Sequence, residues 1–178
     1  FVELDGSITS NPLSWLKGIT SKFGDPVLRE AIKKGMEILS EEFVSGIDIE
    51  DALEKFDQPK LPCSFDMLGE AARTQSDVDF FFSAYENAIK KVGEKNAFLS
   101  ESFHEISIKL SAIHPRYELL KKDRVMGELY ERVLELSYQA ANQGIALTID
   151  AEEQDRLELS LLLIEKLAKE KQQKENPK

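Results

Sequence analysis

The chain has 178 residues, 42% of them hydrophobic and 31% charged, and a formal net charge of −10. This balance excludes wholesale disorder and suits one globular domain, or a small helical domain joined to part of a larger one. The acidic charge disfavours a nucleic-acid surface, which draws its affinity from Lys and Arg neutralising phosphates, and the lone cysteine, Cys63, excludes an intrachain disulfide and a thiolate metal cluster.

Residues 1–10 read as a loose lead-in. They lack an initiator Met and the basic start and apolar middle of a secretory signal, so the chain reads as an excised segment. No apolar run approaches the roughly 20 residues of a membrane-spanning helix, and a single cysteine fits a reducing cytoplasm. Asn11-Pro12 gives a cap followed by a proline in the first helical turn, and Trp15, Leu16, Ile19 and Phe23 recur at helical spacing before Gly24. Asp25-Pro26 repeats the start signal, and Val27, Leu28, Ala31, Ile32, Met36 and Leu39 form one stripe. A shorter helix follows, with Asp48 as cap and Ile49, Ala52 and Leu53 inside. Residues 1–61 thus read as a helical lead-in domain with no chemistry of its own.

From Pro62 the pattern changes. Phe65–Gly69 reads as a short strand, and the helix near Ser76–Val92 carries Val78, Phe81, Phe82, Tyr85, Ala88, Ile89 and Val92. Ile106–Ser111 alternates strictly and reads as a strand, and Asp123 to about Asn142 as a helix closed by Gly144. Ile145–Asp150 is a third strand and Leu157–Leu167 a third helix; residues 169–178 are polar and read as a disordered tail. Strands alternating with helices imply parallel strands with crossover helices, so residues 62–168 are expected to form three βα units. A closed barrel of this type takes eight units and roughly 250 residues. The α/β fold class expected is therefore a helical segment followed by a partial barrel, with open strand edges.

Strand parity singles out candidate residues. Ser107, Lys109 and Ser111 oppose Ile106, Ile108 and Leu110, and Ala146, Thr148 and Asp150 oppose Ile145, Leu147 and Ile149. Each polar face has one ionisable residue near the carboxyl end of its strand, where barrel enzymes place catalytic groups. Asp66, Leu68 and Glu70 share a parity in the first strand, so two carboxylates are expected on one side. A lysine facing inward needs a carboxylate or an anionic ligand. Spacing leaves open whether Lys109 is a structural partner of Asp150 or Glu70, or an active-site cation. The acidic run Asp150-Ala151-Glu152-Glu153-Gln154-Asp155 could hold a hard cation. Helix capping and first-turn acids explain Glu152, Glu153 and Asp155 more simply, and no metal is expected. His104 and His114 share no ligand spacing and suit surface or packing roles. Phe80-Phe81-Phe82 suits helix packing.

Three segments carry a resemblance: Phe65-Asp66-Met67-Leu68-Gly69-Glu70-Ala71-Ala72, the run from Ile106 to Tyr117, and Ile149-Asp150-Ala151-Glu152-Glu153. In this order and spacing they resemble the proline dehydrogenase domain of the bifunctional bacterial proline utilisation A proteins. Asp123-Arg124-Val125-Met126, Asp155-Arg156-Leu157-Glu158, Gly24-Asp25-Pro26 and Glu42-Phe43-Val44-Ser45-Gly46 extend it over about residues 24–167. The resemblance implies a (βα)8 barrel holding FAD at the carboxyl ends of its strands. It implies oxidation of L-proline to Δ1-pyrroline-5-carboxylate, with electrons passed to membrane quinone. A separate aldehyde dehydrogenase domain then makes glutamate. Lys109 matches a lysine that holds the substrate carboxylate, and Asp150 an aspartate close to flavin and substrate. Glu70 matches an acid paired with a substrate-binding arginine, and Asp66 another acid of the same strand. The arginine pair and most flavin contacts of the family lie later in the barrel, so this chain alone is expected to be inactive and not to hold FAD tightly. The resemblance further implies a cytoplasmic parent, peripheral at the inner membrane, with no nucleic-acid contact through this segment. The competing expectation is a non-enzymatic helical interaction module, a homodimer formed through open strand edges.

Overall fold

The computed structural model describes residues 25–56, 61–99 and 103–175. The chain divides into two units, residues 1–47 and 48–178. The helix expected around Trp15 to Phe23 lies outside the described residues. In the first unit, α1 (Asp25–Phe43) begins at Asp25-Pro26 as the start signal predicts. Lys34 and Glu37, one turn apart, pair at 3.3 Å.

The second unit opens with α2 (Ile49–Lys55). Asp48 caps it as expected, its carboxylate accepting the Asp51 N–H at 2.8 Å. Strand β1 (Ser64–Asp66) is followed by α3 (Gln75–Asn96), β2 (Glu105–Ile108), α4 (Lys122–Asn142), β3 (Leu147–Ile149) and α5 (Leu157–Glu175). Helix α3 starts with a capping box: Thr74 Oγ1 accepts the Asp77 N–H at 3.1 Å, and the Asp77 carboxylate accepts the Thr74 N–H at 2.8 Å. Gly144, at φ +68, closes α4 as expected. Helix α5 runs past Leu167 to Glu175, so the polar stretch from Lys169 continues the helix. Its Lys, Glu and Gln residues are good helix formers.

The three strands form one parallel sheet in the order β1-β2-β3. Phe65, Ile106 and Leu147 share one row, and Asp66, Ser107 and Thr148 the next. The strands are shorter than the alternation predicts. β1 ends at Asp66, and the chain turns through Gly69 (φ +147) and Ala71 (φ +51). A side chain at Gly69 would run into the Phe81 ring, which packs beneath it. The expected parity of Glu70 with Asp66 therefore does not hold. β2 ends at Ile108, and Leu110–Ala112 winds into a 3-10 turn. Ser111 thus leaves the face shared by Ser107 and Lys109.

The core lies between the sheet and its helices. Ile106, Ile108, Leu110 and Ile113 are sealed from solvent, with Tyr85, Ile89 and Val92 of α3, Val125, Leu129, Val133 and Leu136 of α4, and Leu159 and Leu163 of α5. Burial of each large aliphatic side chain contributes roughly 1.5–3 kcal/mol. Phe81 and Phe82 pack against this core, whereas Phe80 is exposed. Among the described residues no helix is long and apolar enough to cross a membrane.

Candidate active site

Three side chains meet at the carboxyl end of the sheet. Asp66 is the last residue of β1, and Lys109 and Asp150 each stand one position beyond the end of their strands. Lys109 keeps extended backbone, so its side chain continues the alternation opposite Ile108. Asp150 is held in strand-like pairing by its N–H, which donates to the Ile108 carbonyl at 3.0 Å. The Lys109 ammonium binds the Asp66 carboxylate closely and lies 3.3 Å from Asp150 Oδ2. Ser107 donates its hydroxyl proton to Asp150 Oδ1.

The Lys109 side chain is 17% exposed, that of Asp150 27% and that of Asp66 46%. This gradient makes Lys109 the most enclosed charge of the three. Burial alone would lower its pKa, but hydrogen bonds and charge from Asp66 and Asp150 outweigh burial and raise it above the ordinary lysine value. The ammonium therefore stays charged at neutral pH. Two carboxylates around one cation leave the cluster with one excess negative charge. The backbone of Lys109 is fixed from below: its N–H donates to the Tyr85 hydroxyl at 3.0 Å. Tyr85 lies on α3, 1% exposed, and burial raises its phenol pKa.

The structure brings Lys109, Asp66 and Asp150 together and does not bring Glu70 to them. Glu70 is exposed, beyond Gly69, with no hydrogen bond or ion pair among the described residues. Of the acidic run, Glu152 neither caps a helix nor joins a metal cage. Its Oε1 accepts the Ser111 N–H at 3.0 Å, and Oε2 faces Arg156 at 3.6 Å. Glu153 pairs with Arg156 at 3.0 Å, and Asp155 is exposed. Among the described residues no group of three or more His, Cys, Asp or Glu could hold a metal ion.

Both histidines are buried packing residues. His104 lies at the opposite end of the sheet, where its Nδ1 accepts the Cys63 N–H at 3.1 Å and its backbone makes two hydrogen bonds of 2.8 Å with the Asn96 side chain. His114 accepts the Arg116 N–H on Nδ1 at 3.1 Å, with Nε2 3.6 Å from Glu128. The cleft between α3 and α4, lined by Glu86, Lys90, Gln139 and Gln143, contains none of the strand-end residues.

Sequence reasoning missed three contributors. Ser107 has the right parity for the cluster, and that parity was the available signal. Tyr85 sits in an apolar stripe that hides its polar tip. The Ser111–Glu152 bond joins two loops 41 residues apart, and nothing local marks it.

Comparison with known proteins places the chain in a family. Residues 49–178 match the family model for proline dehydrogenase. The chain is 43% identical over 158 residues to the bifunctional protein PutA of Escherichia coli strain K12 and 44% identical over 158 residues to that of Salmonella typhimurium. Each alignment covers 85% of this chain and 12% of the relative, so the chain spans a small part of the curated relatives it matches. A crystal structure of a mutant Bradyrhizobium japonicum proline utilisation A superposes with a TM-score of 0.63 at 42% identity, over 84% of this chain and 15% of that one. Proline utilisation A from Bdellovibrio bacteriovorus, inactivated by N-propargylglycine, has a TM-score of 0.72 at 18% identity, over 79% of this chain and 16% of that one, a likeness of fold alone. A family model spanning most of the chain and several close relatives agree that this chain belongs to the proline dehydrogenase family, as the proline dehydrogenase domain found in proline utilisation A.

Proposed function

We propose that this chain supplies the first three units of the (βα)8 barrel of an FAD-dependent enzyme that oxidises L-proline to Δ1-pyrroline-5-carboxylate. Residues 62–168 form the barrel part; of the lead-in expected over residues 1–61, α2 belongs to the same compact unit as the sheet. The observation that carries this reading is the Lys109 ammonium held between Asp66 and Asp150 at the carboxyl ends of three parallel strands. L-Proline is a zwitterion. Its carboxylate suits the Lys109 ammonium, and its ring ammonium suits the excess carboxylate of the cluster. Lys109 thereby orients the substrate and lowers the entropy cost of a productive encounter. Asp150 tunes the electrostatics beside it, Asp66 balances the lysine charge, and Glu70 awaits a substrate-binding arginine from a later unit.

Proline dehydrogenases are in general flavoenzymes. The donor set here fits the polar edge of a flavin ring: the Ser107 hydroxyl, the Asp150 carboxylate and the Lys109 ammonium converge at one place. It does not fit a diphosphate, since carboxylates outnumber the cation. Asp150 would therefore hold the ring end, and later units the diphosphate. When bound, FAD supplies a two-electron acceptor for the hydride on the ring carbon beside the proline nitrogen. The chain's own residues hold the substrate, fix its orientation and neutralise its charge.

On this reading the chain alone binds FAD weakly and is inactive. The intact protein is cytoplasmic, peripheral at the inner membrane, and passes electrons to membrane quinone. A partner domain oxidises the product to glutamate. The test is proline-dependent dye reduction by the intact polypeptide that carries this chain, with and without Lys109→Ala. The reading expects a rise in the KM for proline of about ten-fold or more, and an unchanged KM counts against it. A second reading, an interaction module dimerising through strand edges, draws on β1 and β3 each having one strand neighbour among the described residues.

A further inference from the structure

The turn after β2 is tied to the loops on both sides of it. Ser111, 2% exposed, lies two positions past Lys109. Its hydroxyl accepts the Ala71 N–H at 3.0 Å, and its carbonyl accepts the Ala72 N–H at 2.9 Å. Its own N–H donates to Glu152 Oε1 at 3.0 Å. The Glu152 side chain is 8% exposed and faces the Arg156 guanidinium, which sits 5.6 Å over the Tyr117 ring. One line of contacts therefore runs from the loop after β1, through the turn after β2, to the loop after β3.

This line has features that packing alone does not require. A carboxylate this enclosed is costly unless paired and hydrogen-bonded, and Glu152 is both. Ala71 holds φ +51, a strained position for a residue with a side chain, directly after Glu70. The bonds to Ser111 hold that strain in place. The same turn carries Lys109 at its entry. Among the described residues the Lys109 ammonium bonds to Asp66 and Asp150 and not to Ser111 or Glu152, yet both of the latter fix the backbone from which Lys109 and Glu70 project.

We propose that Glu152 is a positioning residue, which through Ser111 sets the turn bearing Lys109 and the loop bearing Glu70 relative to a substrate carboxylate. This inference rests on the proline-oxidising reading. Supports of this kind act by holding contact groups within fractions of an ångström of their working positions.

Glu152→Ala, Glu152→Gln and Ser111→Ala are to be made in the intact polypeptide that carries this chain. KM and kcat for proline are read separately, with flavin content, melting temperature and amide exchange at Ala71, Ala72 and Ser111. Glu152→Ala is expected to raise KM about ten-fold, with kcat and flavin content little changed and with faster exchange at Ser111 and Ala71. Glu152→Gln, whose amide oxygen can still accept the Ser111 N–H, is expected to recover most of the loss. A lower melting temperature with an unchanged KM in the folded fraction overturns the proposal. If Glu152→Ala fails to fold, Ser111→Ala keeps the backbone bond to Glu152 and removes the hydroxyl bond to Ala71, so it tests the next link of the same line, and an unchanged KM there overturns the proposal. If the parent oxidises no proline, the proline reading fails separately. Exchange then decides the relay, and unchanged protection at Ala71 and Ser111 overturns it.

Discussion

Lys109 and Asp150 lie 41 positions apart in sequence, and their side chains meet at 3.3 Å one residue beyond the ends of neighbouring parallel strands. Parallel pairing of Ile108 with Ile149 brings the following residues to one level. The Lys109–Asp150 pair is thus a product of register. Lys109→Met would leave Asp66 and Asp150 facing each other without a cation. We expect a stability loss of about 1–2 kcal/mol by urea unfolding, limited by the exposure of Asp66. The raised Lys109 pKa gives the sign of the pH effect. Its contribution is fully present below the unfolded lysine value of about 10.4 and is lost as pH rises through the higher folded value. Wild-type and Lys109→Met stabilities should therefore differ by a constant amount from neutral pH to about pH 10.

Tyr85→Phe removes only the hydroxyl that accepts the Lys109 N–H. That amide is then left without its partner beneath the site, and the expected cost is about 1–3 kcal/mol. A cost within a few tenths would show that water or another acceptor replaces the phenol. If the proposed function holds, the same change in the intact polypeptide should raise the KM for proline, because it loosens the backbone of Lys109.

His104 and His114 should make the fold sensitive to acid. Burial holds both below the ordinary histidine value, with Lys95 adding to the effect on His104; at His114 the Glu128 charge opposes burial without reversing it. Their Nδ1 atoms accept backbone N–H groups, and protonation abolishes those bonds. A depressed folded pKa means that their contribution is complete above the unfolded value of about 6.5 and is lost as pH falls below it through the folded values. Urea midpoints are expected to drop between about pH 7.5 and pH 5. A His104→Gln, His114→Gln double variant should show a shallower drop, and an equal slope would exclude the histidines as its source.

Asn96→Ala removes two buried hydrogen bonds to the His104 backbone. The expected destabilisation is about 2–3 kcal/mol, since the amide and carbonyl of His104 stay buried. Thermal or urea unfolding of the chain measures it. If the proposed function holds, activity per folded molecule of the intact polypeptide should be unchanged, because Asn96 lies at the far end of the sheet.

The βα order was readable because period-two and helical apolar patterns alternate from Phe65 onward. Asp48 and Gly144 were readable because caps are local chemistry. The strand ends were not. Alternation continues through Leu110 and Ser111 in sequence, yet the backbone folds into a 3-10 turn there, held by hydrogen bonds to residues 71, 72 and 152. The placement of Glu70 failed for a similar reason, since Gly69 and Ala71 break the strand with positive φ. Lys109 and Asp150 could be picked out by parity and position. Their closeness to Asp66 and Ser107 depends on register across strands, which a local pattern does not encode.

The most direct test of the account compares this chain with the same sequence extended through the later barrel units. Each is purified, its flavin spectrum recorded and its proline-dependent dye reduction measured. The account predicts bound flavin and proline oxidation in the extended protein and neither in the chain alone. An extended protein that folds, yet holds no flavin and leaves proline untouched, would contradict it.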